Sequence, residues 1–118
     1  MMKGDKLFAE YYWAPFNKDT CHRMYSQTKS YVAIAIGFLL DEGKLSLDDK
    51  IADFFPEKIR IENEQIKRQT VRNMLMMSTA KPERDWFYHK PDDRVRFYFE
   101  NPLEESRPSG TIWNYDSA

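Results

Sequence analysis

The chain is poor in cysteine and histidine, the residues that form disulfides and most zinc sites. Its single cysteine, Cys21, excludes an internal disulfide and agrees with a reducing compartment. Adjacent side chains rarely face each other on a regular element, so the Cys21-His22 pair favours a structural role over a catalytic one. Because His89 is the only other histidine, we expect no zinc centre, and nothing in the sequence indicates a cofactor.

A long hydrophobic segment is also missing. The apolar run Tyr31–Leu40 has about half the length needed to cross a bilayer, which suits a buried helix instead. The N-terminus, Met1 to Lys6, is not followed by an apolar export region. As the chain reads, we expect a cytoplasmic protein with no membrane partner, whereas the location of a longer parent protein stays open.

Neither sign of charge dominates the sequence. The 18 basic and 19 acidic side chains leave a formal net charge of −1, and the isoelectric point is near 6.1. The local cluster of Lys67, Arg68 and Arg72 lacks the broad basic field of a nucleic-acid surface, so we interpret it as a solvated helix face. We therefore expect no nucleic-acid partner.

What the chain does contain is a serine and a lysine three residues apart, Ser26-Gln27-Thr28-Lys29, directly before a helical apolar run. If a helix begins at Ser26, residues three apart share a face, and the Lys29 ammonium lies beside a hydroxyl that it could activate. That arrangement is typical of serine–lysine acyl-transfer enzymes. The spacing alone is weak, because chance gives about half a match in a chain of this length.

A second match to the spacing lies at Ser78 and Lys81. Pro82 follows the lysine directly, and a residue before proline is disfavoured in the helical region. Only the first match is therefore expected to be held by a helix.

The coarse pattern predicts one domain, residues 1–118, that is mainly α with a small β component. The aromatic segment 7–13, after a Gly4-Asp5 turn, predicts a strand. Residues 26–42 predict a central helix that ends at Gly43 in the left-handed cap position. Because this helix is apolar on every side, we expect other elements to enclose it.

Residues 43–107 predict a helical region. A capping pattern predicts a short helix at 46–55, and Thr70 is a candidate N-cap for a helix over 71–77. Residues 92–100 alternate like a strand, but their acidic start and the proline that follows favour a helix. The remaining segments are a polar stretch at 57–69, an irregular aromatic loop at 81–91, and a turn followed by a strand at 108–118.

Several strings in this order carry a family resemblance. The strings are Arg23 to Ser30, Leu40 to Ile51, Thr70 to Thr79, and Pro108-Ser109-Gly110 followed by Tyr115-Asp116-Ser117. Together they closely resemble the class C β-lactamase, penicillin-binding protein and esterase superfamily, over most of residues 7–118. The resemblance implies the helical part of the β-lactamase/transpeptidase-like α+β fold, with most of the antiparallel sheet absent.

The resemblance also implies roles for four residues. Ser26 would be the nucleophile that forms an acyl-enzyme with an amide or ester carbonyl, and Lys29 would help to remove its proton. Tyr115 would be the other half of the base, while Ser117 would hydrogen-bond in the same site. Which of the lysine and the tyrosine is the true base stays open.

Two departures from the family pattern affect what we expect of this chain. Ala80 stands where the family usually has glycine, so the following loop could take a different path. The family's third motif, a Lys or His followed by Thr or Ser and then Gly, has no counterpart up to Ala118. We therefore expect the isolated chain to be nearly inactive.

Two hypotheses of different classes follow. In the first, the chain is part of a serine hydrolase whose substrate is a small amide or ester, such as a β-lactam, a D-alanyl peptide or a short ester. In the second, it is a non-catalytic helical module for binding or oligomerisation. The missing sheet would leave an apolar face of the central helix bare, which predicts self-association or an accessory chain.

Overall fold

The computed structural model describes residues 1–60, 63–79, 91–100 and 108–115. Its helices are α1 (Thr28–Asp41), α2 (Glu64–Arg68), α3 (Val71–Leu75) and α4 (Arg94–Glu100), and its strands are β1 (Met2–Lys3) and β2 (Lys6–Leu7). Short 3-10 helices span Tyr25–Gln27, Ile51–Phe54 and Pro56–Lys58. The prediction of a mainly α fold with a small β component is confirmed.

The two strands form an antiparallel hairpin around the predicted Gly4-Asp5 turn, where Gly4 has a φ of +60°. The prediction of a strand over 7–13 is wrong beyond Leu7. A strand needs a partner along its whole length, and β1 offers only Met2 and Lys3. In the described residues this hairpin is the whole sheet.

The central helix α1 begins two residues later than predicted, because a 3-10 turn occupies Tyr25–Gln27. It ends as predicted: Gly43 has a φ of +66° and its N–H donates to the Leu40 carbonyl at 3.1 Å. The expectation that other elements enclose this helix is wrong, since none of its residues is buried. The described elements pack on one side only and leave Tyr31 and Phe38 about two-thirds exposed.

The helical region follows local capping signals. The Thr70 hydroxyl accepts from the Asn73 N–H at 3.2 Å, and the Asn73 side chain accepts from the Thr70 N–H at 3.0 Å, so the predicted N-cap of α3 is confirmed. The helical interpretation of residues 92–100 is confirmed by α4. The predicted polar stretch at 57–69 instead contains α2, because Asn63 caps it by accepting from the Gln65 and Ile66 N–H groups.

The hydrophobic core lies among these short helices. Its buried apolar members are Ile51, Ile66, Val71, Tyr98 and Phe99. Gln69 is fully buried beside them, and the Tyr98 hydroxyl donates to its Oε1 at 2.7 Å. A buried amide that accepts a hydrogen bond avoids much of the cost of leaving water, so this pair can fix how α4 sits on the segment before α3.

The surface of the helical region carries the basic cluster noted in the sequence. Lys67 pairs with Glu64 at 3.3 Å, and Arg72 pairs with Asp48 at 3.1 Å. These exposed pairs are what a solvated helix face presents. Among the described residues, no helix is long and apolar enough to span a bilayer.

Candidate active site

The turn that opens α1 places the candidate nucleophile. Ser26 is the middle residue of the 3-10 turn, and Lys29 is the second residue of α1. Residues three apart nearly eclipse each other in a 3-10 turn, so both side chains leave the same face of the chain. Ser26 is exposed and Lys29 is half-buried, which leaves the hydroxyl accessible to a substrate.

The residue before the serine has an unusual backbone. Tyr25 has a φ of +46°, in the left-handed region that bulky side chains rarely occupy. The Gln27 N–H donates to the Met24 carbonyl at 3.0 Å and closes the turn. Such strained positions occur often at functional sites, where the surrounding structure holds a side chain in place.

Tyr115 reaches this turn through a segment that docks on the end of α3. The Gly110 N–H donates to the Ser78 carbonyl at 2.7 Å, and the Asn114 N–H donates to the Met77 carbonyl at 2.8 Å. Two backbone hydrogen bonds, four residues apart, fix both the position and the direction of this segment. The predicted turn at 108–110 is confirmed, whereas the described residues 111–115 form no strand.

Gly110 fits this docking through its conformation and its lack of a side chain. Its φ is +89°, and a Cβ atom there would lie 3.0 Å from Nδ2 of Asn73. Asn73 also caps α3, so one amide side chain supports both the helix and the segment that carries Tyr115. Asn73 was not predicted as a functional residue, although a Thr-x-x-Asn spacing at a helix start is a usable signal.

The structure brings three of the four predicted site residues together. The Ser26 hydroxyl and the Tyr115 hydroxyl share a hydrogen bond, with either oxygen able to donate. The Lys29 ammonium lies over the Tyr115 ring, 5.4 Å from its centroid. A serine hydroxyl, a tyrosine hydroxyl and a lysine side chain are thus adjacent. The fourth residue, Ser117, lies outside the described residues.

Other residues named from the sequence have clear outcomes. The competing Ser78 is buried and its hydroxyl donates to the Asn73 carbonyl at 3.3 Å, so it has a structural role. Its lysine, Ala80 and the aromatic residues 86–88 lie outside the described residues.

The adjacent residues Cys21 and His22 have different surroundings. Cys21 is an exposed free thiol, and the His22 ring packs on Phe16 with centroids 4.8 Å apart. Within the described ranges, no group of three or more His, Cys, Asp or Glu side chains could hold a metal ion.

The match to a family model decides the classification. The Beta-lactamase family model matches residues 1–118, the whole chain. The chain belongs to the Beta-lactamase family. Among curated proteins, a 6-aminohexanoate-dimer hydrolase from Paenarthrobacter ureafaciens is 33% identical over 57 residues.

That match covers 48% of this Beta-lactamase family chain and 14% of the hydrolase. The chain therefore aligns with only a small part of that relative. No solved structure gives a significant match.

Proposed function

We propose that this chain carries the nucleophile half of a serine hydrolase site that works through an acyl-enzyme. In this mechanism Tyr115 begins as a phenolate. The Ser26 oxygen attacks the carbonyl carbon of an amide or ester, and its proton passes to the Tyr115 oxygen, which becomes a phenol. The bond from that carbon to the leaving group then breaks, and Tyr115 returns the proton to the departing amine or alcohol. Water later cleaves the Ser26 ester by the same route, which releases the acid and restores the serine.

The observation that carries this proposal is the hydrogen bond between the Ser26 and Tyr115 hydroxyls. The two residues are 89 positions apart, so local sequence cannot explain their contact. An isolated serine hydroxyl is a weak nucleophile and needs an adjacent proton acceptor. Tyr115 is in that position, and Lys29 lies over the ring that would bear negative charge before the transfer.

Lys29 has an electrostatic role in this proposal. In the proposed mechanism the ammonium, 5.4 Å from the ring centroid, stabilises the negative charge of the Tyr115 phenolate until it accepts the serine proton. Ser117, two residues beyond Tyr115, is assigned to proton relay or substrate orientation by the family resemblance. The contact geometry therefore favours Tyr115 over Lys29 as the direct base.

The proposed substrates are small amides or esters. The family resemblance supports a β-lactam, a D-alanyl peptide or a short ester, and the curated relative adds the 6-aminohexanoate dimer by its name. We propose that the 118-residue chain turns over such substrates very slowly, because it lacks a counterpart of the third family motif. Loss of one oxyanion-hole donor costs about 3 kcal/mol in transition-state stabilisation.

Covalent labelling tests the nucleophile directly. A fluorescent fluorophosphonate should modify the chain once, and Ser26→Ala should abolish the modification. Ser30→Ala, the same change four residues on in α1, is a matched control and should leave labelling unchanged. Labelling that survives Ser26→Ala would refute the assignment of the nucleophile.

A turnover assay tests the proposed low activity. A chromogenic β-lactam and a short-chain ester should each be hydrolysed barely above background, even if Ser26 of the same chain reacts with the fluorophosphonate in the separate labelling experiment. Rapid turnover that Ser26→Ala abolishes would show that the 118 residues suffice for catalysis and would refute the low-activity proposal.

The second candidate function is a non-catalytic binding or oligomerisation module. The exposed apolar side chains of α1, Tyr31, Ile34 and Phe38, favour it, because such a stripe usually contacts another surface. A module of this kind needs no activated serine, so an absence of fluorophosphonate labelling would favour it over the hydrolase.

A further inference from the structure

A cavity of about 680 Å³ lies between α1 and the hydrophobic core. Its wall on the α1 side includes Val32, Ala33, Ile36 and Leu39, and the facing wall consists mostly of aliphatic and aromatic side chains. Small-molecule pockets commonly have volumes of about 300–1,000 Å³ and mainly apolar walls with a few polar groups. The volume and lining of this cavity fit an apolar ligand group rather than water.

The cavity reaches the candidate active site at one end. Thr28 and Lys29 belong to its lining, and Lys29 is the residue whose ammonium lies over the Tyr115 ring. From Lys29 the wall continues along α1 to Leu39, about 15 Å at 1.5 Å per residue. An elongated group could therefore extend from the neighbourhood of Ser26 into an apolar channel.

We propose that this cavity binds the acyl chain of the substrate, and that the preferred substrates are esters or amides of medium-length apolar acids. This inference rests on the proposed function, because it assumes that the substrate carbonyl is held at Ser26. The bonds formed and broken are the same as for a short ester. The Ser26 oxygen forms a bond to the acyl carbon, and the alcohol or amine leaves with the serine proton.

The placement of the leaving group supports the proposal that the acyl chain, rather than the leaving group, fills the cavity. In the proposed reaction Tyr115 returns its proton to the leaving group, so the leaving group lies on the Tyr115 side of Ser26. Tyr115 is 45% exposed, which lets a small alcohol or amine exit to solvent on that side. The apolar side lined by Val32, Ala33 and Ile36 is then left for the acyl chain.

Acylation rates of Ser26 with a series of p-nitrophenyl esters test this inference. The leaving group is constant and the acyl chain grows from acetate to octanoate, so only binding of the acyl chain changes. Intact mass measures the first acylation and does not require turnover. We expect the rate constant to rise by about two- to fourfold per added methylene until the cavity is filled.

A matched pair of variants locates the acyl chain. Ala33→Leu adds three carbons on the cavity wall, whereas Ala35→Leu makes the same change two residues on, on the opposite side of α1. Ala33→Leu should slow acylation by the octanoyl ester about tenfold more than acylation by the acetyl ester. Ala35→Leu should change neither rate, and circular dichroism should show the same helix content for both.

The outcomes separate the two proposals. If no ester acylates Ser26, the proposed function fails and this inference fails with it. If acetate acylates Ser26 but the rate is independent of chain length, or both leucine variants act alike, only this inference is overturned. If Ala33→Leu does not fold, protection of Ser26 from acetylation by free octanoate in the unmodified protein decides the question, and an absence of protection overturns the inference.

Discussion

Two residues with unusual backbone angles border the candidate site. Tyr25 (φ +46°) precedes Ser26, and Met77 (φ +53°) accepts the hydrogen bond that holds the Tyr115 segment. In the described residues they are the non-glycine positions with positive φ. Each such position costs on the order of 1–3 kcal/mol, and it persists where the surrounding packing and hydrogen bonds demand it. Both angles help to set the Ser26–Tyr115 contact.

At the level of residues, the proximity of Ser26 and Lys29 could be predicted from the sequence because both lie within one turn of the chain. Tyr115 could be named only through the family resemblance, since a contact across 89 positions depends on the whole fold. The left-handed angles of Tyr25 and Met77 were not foreseeable, because neither residue type favours that region. Their cause is tertiary rather than local.

Asp93 gives a prediction about pH. Its carboxylate accepts from the Arg96 N–H at 2.9 Å and from the Lys58 ammonium at 2.7 Å, and these contacts lower the pKa of Asp93 below its ordinary value of 3.8. A lowered pKa in the folded state stabilises the fold above the unfolded-state pKa. We expect this stabilisation to be lost as the pH falls from 3.8 through the lower folded-state value.

Urea unfolding of Asp93→Asn at about pH 7 and about pH 3 measures this effect. The free energy of unfolding of the variant should be lower than that of the unmodified chain at about pH 7, and this difference should be smaller at about pH 3. Asp92→Asn, with the same change of charge one residue away, should not reproduce this pattern. A difference between Asp93→Asn and the unmodified chain that is independent of pH would contradict the prediction.

At the level of elements, two capping signals were reliable, because caps act within one turn: Gly43 predicted the end of α1 and Thr70 predicted the start of α3. The capping pattern at Ser46 did not open a helix there: residues 47–48 form a turn, and a 3-10 helix follows only at Ile51–Phe54. Helix α2 was missed because its five residues, Glu64–Arg68, are too few to show a periodic pattern. The strand over 7–13 was overpredicted because β propensity says nothing about whether a partner strand exists.

Gly110→Ala should displace the segment that carries Tyr115. An alanine at φ +89° is strained by about 1–2 kcal/mol, and its Cβ would meet Asn73 Nδ2 at 3.0 Å. We expect a lower free energy of unfolding by about that amount and slower fluorophosphonate labelling of Ser26, measured by urea titration and by fluorescence.

Gly4→Ala is the control for Gly110→Ala. Gly4 also has a positive φ, +60°, but a Cβ there meets nothing within 4 Å, and Gly4 lies in the N-terminal hairpin. Gly4→Ala should have a similar backbone strain and should leave the rate of Ser26 labelling unchanged. Equal labelling rates for both variants would show that Gly110 does not position Tyr115.

At the level of the whole molecule, the chain exposes more surface than a compact protein of its mass. Its accessible surface is 9435 Å², against about 6,800 Å² expected for a folded monomer of 14.2 kDa. Its radius of gyration is 18.0 Å, against about 13.5 Å for a compact domain of this length. The excess of roughly 2,600 Å² exceeds the approximately 800 Å² that each partner buries in a standard interface.

The exposed stripe of α1 therefore predicts self-association. Tyr31, Ile34 and Phe38 are 63%, 57% and 66% exposed and follow a helical spacing on one face. Sedimentation velocity should show dimers or larger species that dissociate on dilution, and Phe38→Glu should shift the distribution towards monomer. Glu42→Ala, a surface change at the helix end, should not. A monomer at every concentration would contradict the prediction.

In the proposed mechanism the fold brings Tyr115 to Ser26 and so activates the serine. The rate constant for fluorophosphonate labelling of Tyr115→Phe measures this activation, because phenylalanine keeps the ring under Lys29 and removes only the hydroxyl. With Tyr31→Phe as a control on α1, we predict labelling slower by about 100-fold or more for Tyr115→Phe alone, with unchanged circular dichroism. Equal labelling rates for Tyr115→Phe and the unmodified chain would show that the Tyr115 hydroxyl does not activate Ser26.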